Sequence, residues 1–304
     1  MRAALYTQYG EPDVLHIGEA PEPHASAGAI RIRTLAVSVN PIDWHLRAGH
    51  IQKFLPLEFP VIPGRDAAGI VDEVGDGVSG VAVGDLVFGL GGVSDVTAEY
   101  SVLTAWAHVP KEWTPEQAAA AGLASVTAVR GLAPLGDLAG TTLLIEGAAG
   151  AVGSAAAAVA VSRGVRVIGT ASERNHAFLR EMGVIPTTYG AGLSDRVAEL
   201  APEGIAAALD TAASGSLPEL IQIVGDPTRV STVADGARAL ELGAHSVNAV
   251  NEPEPLELAA QLGETGAYTP RIAQVLPFEK IAEAHALAEN GRTNGKIVLT
   301  VGSL

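Results

Sequence analysis

LLIEGAAGAVGSAAAAVA, residues 143–160, carries an apolar run into glycines at 147, 150 and 153 and then into a string of alanines. Ending the pattern at Gly153 gives Ala148-x-Gly150-x-x-Gly153, so the first glycine of G-x-G-x-x-G is an alanine here, with Gly147 just before it. In an alanine-rich chain with 35 glycines, such spacing by itself is equally a plain turn before a helix. The flanks favour more. Residues 142–146 read as a buried strand, 154–163 as a helix of small residues with Gly164 as its C-cap, and 165–171 as a second strand. Strand, glycine turn, helix and strand at the length of one βαβ unit is the context in which this motif holds a dinucleotide. Glycine lets the backbone approach the pyrophosphate, and the helix start offers it unpaired N–H groups.

The 304 residues suggest about two domains on the usual size prior. With 48% hydrophobic residues there is ample material for a core. The formal net charge of −15 and the lack of a basic run argue against a nucleic-acid partner. There is no cysteine, so disulfides and thiolate metal ligands are excluded. The opening MRAALYTQYGEPDV reaches charged and turn residues too soon for a signal peptide, and no uninterrupted apolar span appears long enough for a membrane. A cytoplasmic location is expected.

The grain of the chain changes near residue 113. Before it, short alternating runs such as AIRIRTLAVSV and AGIVDEVG are broken by turns, as in a small β-rich domain. After it, TPEQAAAAGLASVTAVRGL opens a helix with Thr114 as cap, and strands then alternate with helices near 175–182 and 193–200. That alternation argues for a parallel doubly wound sheet. The tail, PFEKIAEAHALAENGRTNGKIVLTV, reads as one amphipathic helix, a turn and one strand.

Taken in order, NPIDWHLRAG (40–49), PVIPGRDAAGIVDEVG (60–75), VGDLVFG (83–89), AEY (98–100), GAAGAVG (147–153), TASERN (170–175) and NGRTNGKIVL (290–299) resemble the medium-chain dehydrogenase/reductase superfamily. Within it, the chain is similar to the zinc-free quinone oxidoreductases related to ζ-crystallin. The resemblance implies an α/β protein: a GroES-like, β-rich catalytic domain from 1–113 and 268–304, and a Rossmann doubly wound parallel sheet from 114–267 that binds NADP. In zinc alcohol dehydrogenases of the superfamily, a cysteine stands where this chain has Asn40, a histidine where it has Arg65 in Gly64-Arg65-Asp66, and a second cysteine near Leu123. None of these can ligate zinc in the usual way, and no metal is expected.

Without a metal, the substrate itself must carry the charge that hydride delivers. A quinone does so as an aromatic hydroquinone and an α,β-unsaturated carbonyl as an enolate, and a few hydrogen-bond donors then suffice as an oxyanion site. The resemblance places Asn40 and Thr127 as those donors. Asp43, a further catalytic candidate, shares the 40–49 segment with Arg47, and a salt bridge between the two is the simpler role for them. Trp44, Phe54 and Leu55 are either an apolar wall for a flat substrate or ordinary packing. Tyr6 and His45 are candidate proton sources, with solvent as the alternative.

For the cofactor, the resemblance implies backbone contacts from Ala149, Gly150, Ala151 and Val152. It puts Tyr189 near the adenosine side, Thr211, Ala212, Val233 and Ala234 at strand C-terminal ends, and Asn294 and Lys296 at the closing strand. Lys296 is otherwise a solvated charge. The second strand of the unit ends Gly169-Thr170-Ala171-Ser172, without the acid that binds a ribose 2′-hydroxyl in NAD enzymes. Ser172, Arg174 and Asn175 can instead receive a 2′-phosphate, so NADPH is expected, with Glu173 pulling the other way toward NAD. Relatives pair through a Rossmann sheet edge, here assigned to 228–233 and the segment through 250, and a homodimer is expected. The implied activity is NADPH-dependent reduction of a quinone or enone. An enoyl reductase of polyketide or fatty-acid metabolism, or a non-catalytic NADPH-binding sensor or structural protein, uses the same parts.

Overall fold

The computed structural model describes residues 1–291 and 293–303. The chain divides into two compact units, one of Met1–Leu123, Asn251–Glu264 and Thr269–Leu304, the other of Ala124–Val250 with Thr265–Tyr268. The segment 251–264 therefore belongs to the first unit, although the sequence reading counts it with the second.

In chain order the first unit begins with β1 (Arg2–Leu5), β2 (His16–Glu19), β3 (Ile30–Val39), α1 (Pro41–Arg47), β4 (Asp66–Val74), β5 (Leu86–Leu90), β6 (Tyr100–Leu103) and β7 (Ala105–His108). The helix α2 (Pro115–Leu132) leads into the second unit. There follow β8 (Thr142–Glu146), α3 (Ala151–Ser162), β9 (Arg166–Thr170), α4 (His176–Glu181), β10 (Ile185–Thr187), α5 (Leu193–Leu200) and β11 (Ala207–Asp210). That unit ends with α6 (Leu217–Val224), β12 (Val230–Thr232), α7 (Gly236–Leu242) and β13 (His245–Ser246). The chain then returns to the first unit through α8 (Pro253–Glu264), β14 (Ile272–Pro277), α9 (Ile281–Glu289) and β15 (Lys296–Thr300).

The first unit carries a seven-stranded sheet of order β14-β15-β3-β4-β5-β7, with β6 also on β3, and a two-stranded sheet β1-β2. The first half of β3 alternates buried and half-buried residues, as its sequence pattern predicts, while the second half is buried on both faces. The core gathers Ile30, Ile32, Val37, Val71, Val87 and Leu103 with Phe278 and Ile297 from the end of the chain. At roughly 25 cal/mol per Å² of apolar surface, each such side chain contributes about 1.5–3 kcal/mol.

The second unit is a parallel sheet of order β10-β9-β8-β11-β12-β13. This is the doubly wound dinucleotide-binding order, with its reversal between β8 and β11. Two sequence expectations change here. β12 pairs with both β11 and β13, so of the expected edge region the strand at 228–233 is interior and the edge is the two-residue β13 in the segment that follows it. And the span Pro115–Leu135 is long and apolar enough to cross a membrane by length and composition, but 72% of its apolar window is buried within the fold, as in a core helix. Thr114 caps it as read: Gln117 N–H donates to Thr114 Oγ1 at 3.3 Å and Thr114 N–H to Gln117 Oε1 at 2.9 Å.

Candidate active site

In the second unit, the turn between β8 and α3 forms because its residues leave no room for larger ones. Gly147 has φ +74°, and a Cβ on Gly153 would sit 2.3 Å from the Gly147 carbonyl oxygen. Gly150 is the N-cap of α3. The alanine at 148 is accommodated by a glycine elsewhere: a Cβ on Gly169 of β9 would meet the Ala148 Cβ at 2.5 Å. The small residue that the motif wants at 148 has in effect moved to the facing strand. Ala148 N–H donates to Thr170 O at 3.1 Å and Gly147 N–H to Thr170 Oγ1 at 3.1 Å, which fixes the turn against β9. Ala149 is buried, Gly150 exposed, and Ala151 and Val152 half-buried in the first turn of α3. A close-approach turn opening a twelve-residue helix suits a pyrophosphate.

The other expected cofactor residues of this unit lie at the C-terminal ends of its strands. Thr211 follows β11, where its hydroxyl donates to Glu146 O at 2.6 Å, and Ala212 N–H donates to Asp210 Oδ1 at 2.9 Å. Val233 and Ala234 follow β12, with Ala234 N–H on Thr232 Oγ1 at 3.1 Å. Ser172 is half-buried and accepts a hydrogen bond from Asn175 Nδ2 at 3.1 Å, so Asn175, itself buried, holds Ser172 rather than pointing outward. Arg174 is exposed in the short turn Glu173–Asn175. Tyr189 is 58% exposed just beyond β10. Thr127 is half-buried within α2.

One group here escapes sequence reasoning. Glu146 ends β8 beside the strand-order reversal and is 2% exposed. It accepts hydrogen bonds from the Ser214 hydroxyl at 2.6 Å and from the Ser216 hydroxyl, so it ties down the loop after β11. Burial pushes its carboxyl upward, the Ser214 bond opposes this, and the charges of Asp210 and Glu219 add to the rise.

In the first unit, strand register assembles a buried polar cluster. Ser38 of β3 pairs with Asp66 of β4, and Val39 with Ile297 of β15, which sets Lys296 opposite Asn40. Asp66, 0% exposed, accepts from Ser38 Oγ at 2.6 Å and Asn40 Nδ2 at 2.9 Å on Oδ1, and from Leu123 N–H at 3.0 Å on Oδ2. Lys296 Nζ donates to Asn40 Oδ1 at 2.5 Å and Val39 O at 3.2 Å, and stands 4.0 Å from Asp66 Oδ2. Lys296 is thus not a solvated charge: its ammonium is buried and bonds Asn40 and Val39 of its own unit. Burial lowers its pKa, against the charges of Asp66 and Asp43. Asn294 is half-buried just ahead of it.

Asn40 and Asp43 form a capping box at the start of α1, with Asn40 N–H donating to Asp43 Oδ2 at 2.7 Å. The Asp43 carboxyl is pushed up to about 7, first by burial and then by the charge of Asp66; the Asn40 N–H bond, Lys296 and Arg65 oppose the rise. The salt bridge expected between Asp43 and Arg47 is replaced by another: the wholly buried Arg47 donates to Glu289 Oε2 of α9 at 2.7 Å. Since α1 is a short helix packed on α9, its buried face turns Arg47 that way. Trp44 stacks on His45, ring centroids 3.7 Å apart, while Phe54 is 90% exposed. Tyr6 is buried and burial raises its pKa, which makes it a weak acid. His45 is half-buried, its pKa lowered by burial and by His50, whose Nδ1 is 3.0 Å from its own.

Among the described residues no three His, Asp or Glu side chains are grouped as metal ligands. Zinc does not fit at Asn40 and Asp66, because a lysine ammonium already bonds the amide oxygen that a metal would need.

Comparison with known proteins agrees with this architecture. Residues 26–112 match the alcohol dehydrogenase GroES-like domain and 187–299 the zinc-binding dehydrogenase domain. The chain belongs to the medium-chain dehydrogenase/reductase family, and with it to a class of oxidoreductases. Within that class its similarity runs to quinone oxidoreductases. A chloroplast envelope quinone oxidoreductase homolog of Arabidopsis thaliana is 30% identical over 98% of both chains. The structure of the quinone oxidoreductase from Coxiella burnetii is 28% identical, with a TM-score of 0.86 over 99% of each chain. A mycobacterial structure complexed with NADPH is 26% identical, with a TM-score of 0.80 over 99% of this chain and 100% of that one.

Proposed function

We propose that the protein is an NADPH-dependent reductase that passes hydride to a quinone or an α,β-unsaturated carbonyl without a metal. The observation that carries this reading is the buried cluster at Asn40, Asp66 and Lys296, in which the residue at one of the superfamily's zinc-ligand positions, Asn40, is bonded by a carboxylate and an ammonium. NADPH, when bound, supplies the hydride. The backbone of Ala149–Val152 holds its pyrophosphate, Ser172 and Arg174 its 2′-phosphate, and Thr211, Ala212, Val233 and Ala234 border it at the strand ends. Tyr189 flanks the adenosine side. Asn40 and Thr127 donate to the oxygen on which charge develops. Asp43, with a carboxyl near 7 and a buried Oδ1 that has no hydrogen-bond partner among the described residues, can hold a proton at that atom. Substrates that become a hydroquinone or enolate need no Lewis acid, and donors of this kind are enough.

The deciding experiment follows NADPH oxidation with a panel of quinones and enones. Steady turnover with at least one class supports the reading. Tight NADPH binding with no turnover on any of them would favour a binding protein instead. The protein is further proposed to act in the cytoplasm as a homodimer joined at the β13 edge, and a monomer by light scattering at micromolar concentration would refute the pairing.

A further inference from the structure

We propose that Lys296 is a positioning residue that fixes the hand of the Asn40 amide, so that one amide N–H is left for the substrate oxygen. A side-chain amide can sit either way round, and its partners decide which. Here the two partners admit only one answer. Lys296 is a donor without acceptor capacity and must face the amide oxygen, at 2.5 Å; Asp66 Oδ1 is an acceptor and must face Nδ2, at 2.9 Å. Both partners are set by strand register, Lys296 opposite Asn40 across β15 and β3, and Asp66 opposite Ser38 across β3 and β4. The lock is therefore built from backbone pairing, not from a flexible surface contact.

The bonds also account for the amide hydrogens. One is taken by Asp66. Among the described residues the other has only Ser38 O at 3.5 Å, where a hydrogen bond is weak, and so remains available to a better acceptor. An ammonium on the carbonyl oxygen draws density from the amide and strengthens that remaining N–H as a donor. Asn40 is 3% exposed and Lys296 7%, so both effects act away from bulk water. This inference rests on the proposed role of Asn40 as donor to the developing oxyanion, and it assigns Lys296 to that role rather than to the cofactor.

A double-mutant cycle of Lys296→Met and Asn40→Ala tests it. Each single change should lower kcat for quinone or enone about tenfold with little effect on KM for NADPH, and the double variant should be no slower than Asn40→Ala alone. Losses that multiply, to about a hundredfold, would overturn the proposal. Lys296→Gln keeps a donor without the charge and should recover part of the loss; it also carries the cycle where the methionine variant does not fold. A second readout does not depend on turnover: the Asn40 side-chain amide signals in 15N spectra should shift and exchange faster in Lys296→Met, which removes the donor. Unchanged Asn40 signals would overturn the lock even in an active enzyme. A wild-type protein that binds NADPH but reduces nothing would overturn the proposed reaction alone, with the amide signals still deciding the lock.

Discussion

Replacing Asp43 with asparagine should remove the pH dependence that this one carboxyl imposes on stability. Its Oδ2 accepts the Asn40 N–H at 2.7 Å, while its Oδ1 is buried with no hydrogen-bond partner among the described residues. Burial and the neighbouring charge of Asp66 raise the carboxyl from 3.8 to about 7. Between those two values the folded chain keeps a proton that the unfolded chain has released. Stability attributable to the group therefore falls as pH rises through that window and is lowest above about pH 7. One pKa unit corresponds to roughly 1.4 kcal/mol, so the two units between pH 5 and pH 7 amount to about 3 kcal/mol. The asparagine would still offer an oxygen to the Asn40 N–H but has nothing to ionise. Urea unfolding of both proteins at pH 5 and pH 8 gives the comparison, since other titrating groups are common to both. The variant should gain about 3 kcal/mol on the wild type over that interval. Parallel profiles would show that Asp43 is ionised in the folded protein at pH 5 and that the burial argument is wrong.

Arg174→Ala should raise KM for NADPH about tenfold, for a lost charged contact of about 1.4 kcal/mol, and leave that for NADH nearly unchanged; an equal effect on both, or a wild-type preference for NADH, removes the 2′-phosphate assignment. Gly169→Ala should impair NADPH binding and lower the melting temperature, because its new methyl would meet Ala148 Cβ at 2.5 Å, and adding Ala148→Gly should restore part of both. No recovery would mean that Val184, whose Cγ1 lies 2.9 Å from the same point, sets the clash. Elemental analysis of chelator-free protein should find substoichiometric metal, whereas one tightly held zinc per chain needed for activity would sink the zinc-free mechanism.

The second unit was legible in the sequence where periodicity and glycine punctuation coincide: β8, the 147–153 turn, α3 and β9 lie within a few residues of their expected bounds, and α5 covers the residues expected. A two-residue strand such as β13 has no period to read, so the sequence bounds the sheet edge only to the span 228–250 without separating β12 from β13. The missing acid after β9 was visible because it is a matter of residue type at a fixed offset. The fate of Asn175 was not, because whether an amide points to solvent or back to Ser172 is settled by the turn geometry. Lys296 illustrates the larger limit. The sequence offers either a cofactor contact or a solvated charge for it, and only the pairing of β15 with β3, in which Lys296 lies 257 residues from Val39, puts it against Asn40. The Asn40–Asp43 capping box is a local pattern that could have been found by its three-residue spacing ahead of a helix.

The place of β15 in the first sheet has a consequence for synthesis. Residues Ala36–Ser38 of β3 pair with β4 on one side, and along the other Ala36–Val39 take their neighbour from Ile297–Thr300, about 260 residues later in the chain. At about 5–20 residues per second, that stretch of β3 emerges on the order of 10–50 s before its partner exists. The contiguous Ala124–Val250 segment can meanwhile assemble its own parallel sheet. A ribosome stalled before residue 296 would hold a chain whose later half is largely folded and whose earlier half presents an open strand to chaperones or to another nascent copy.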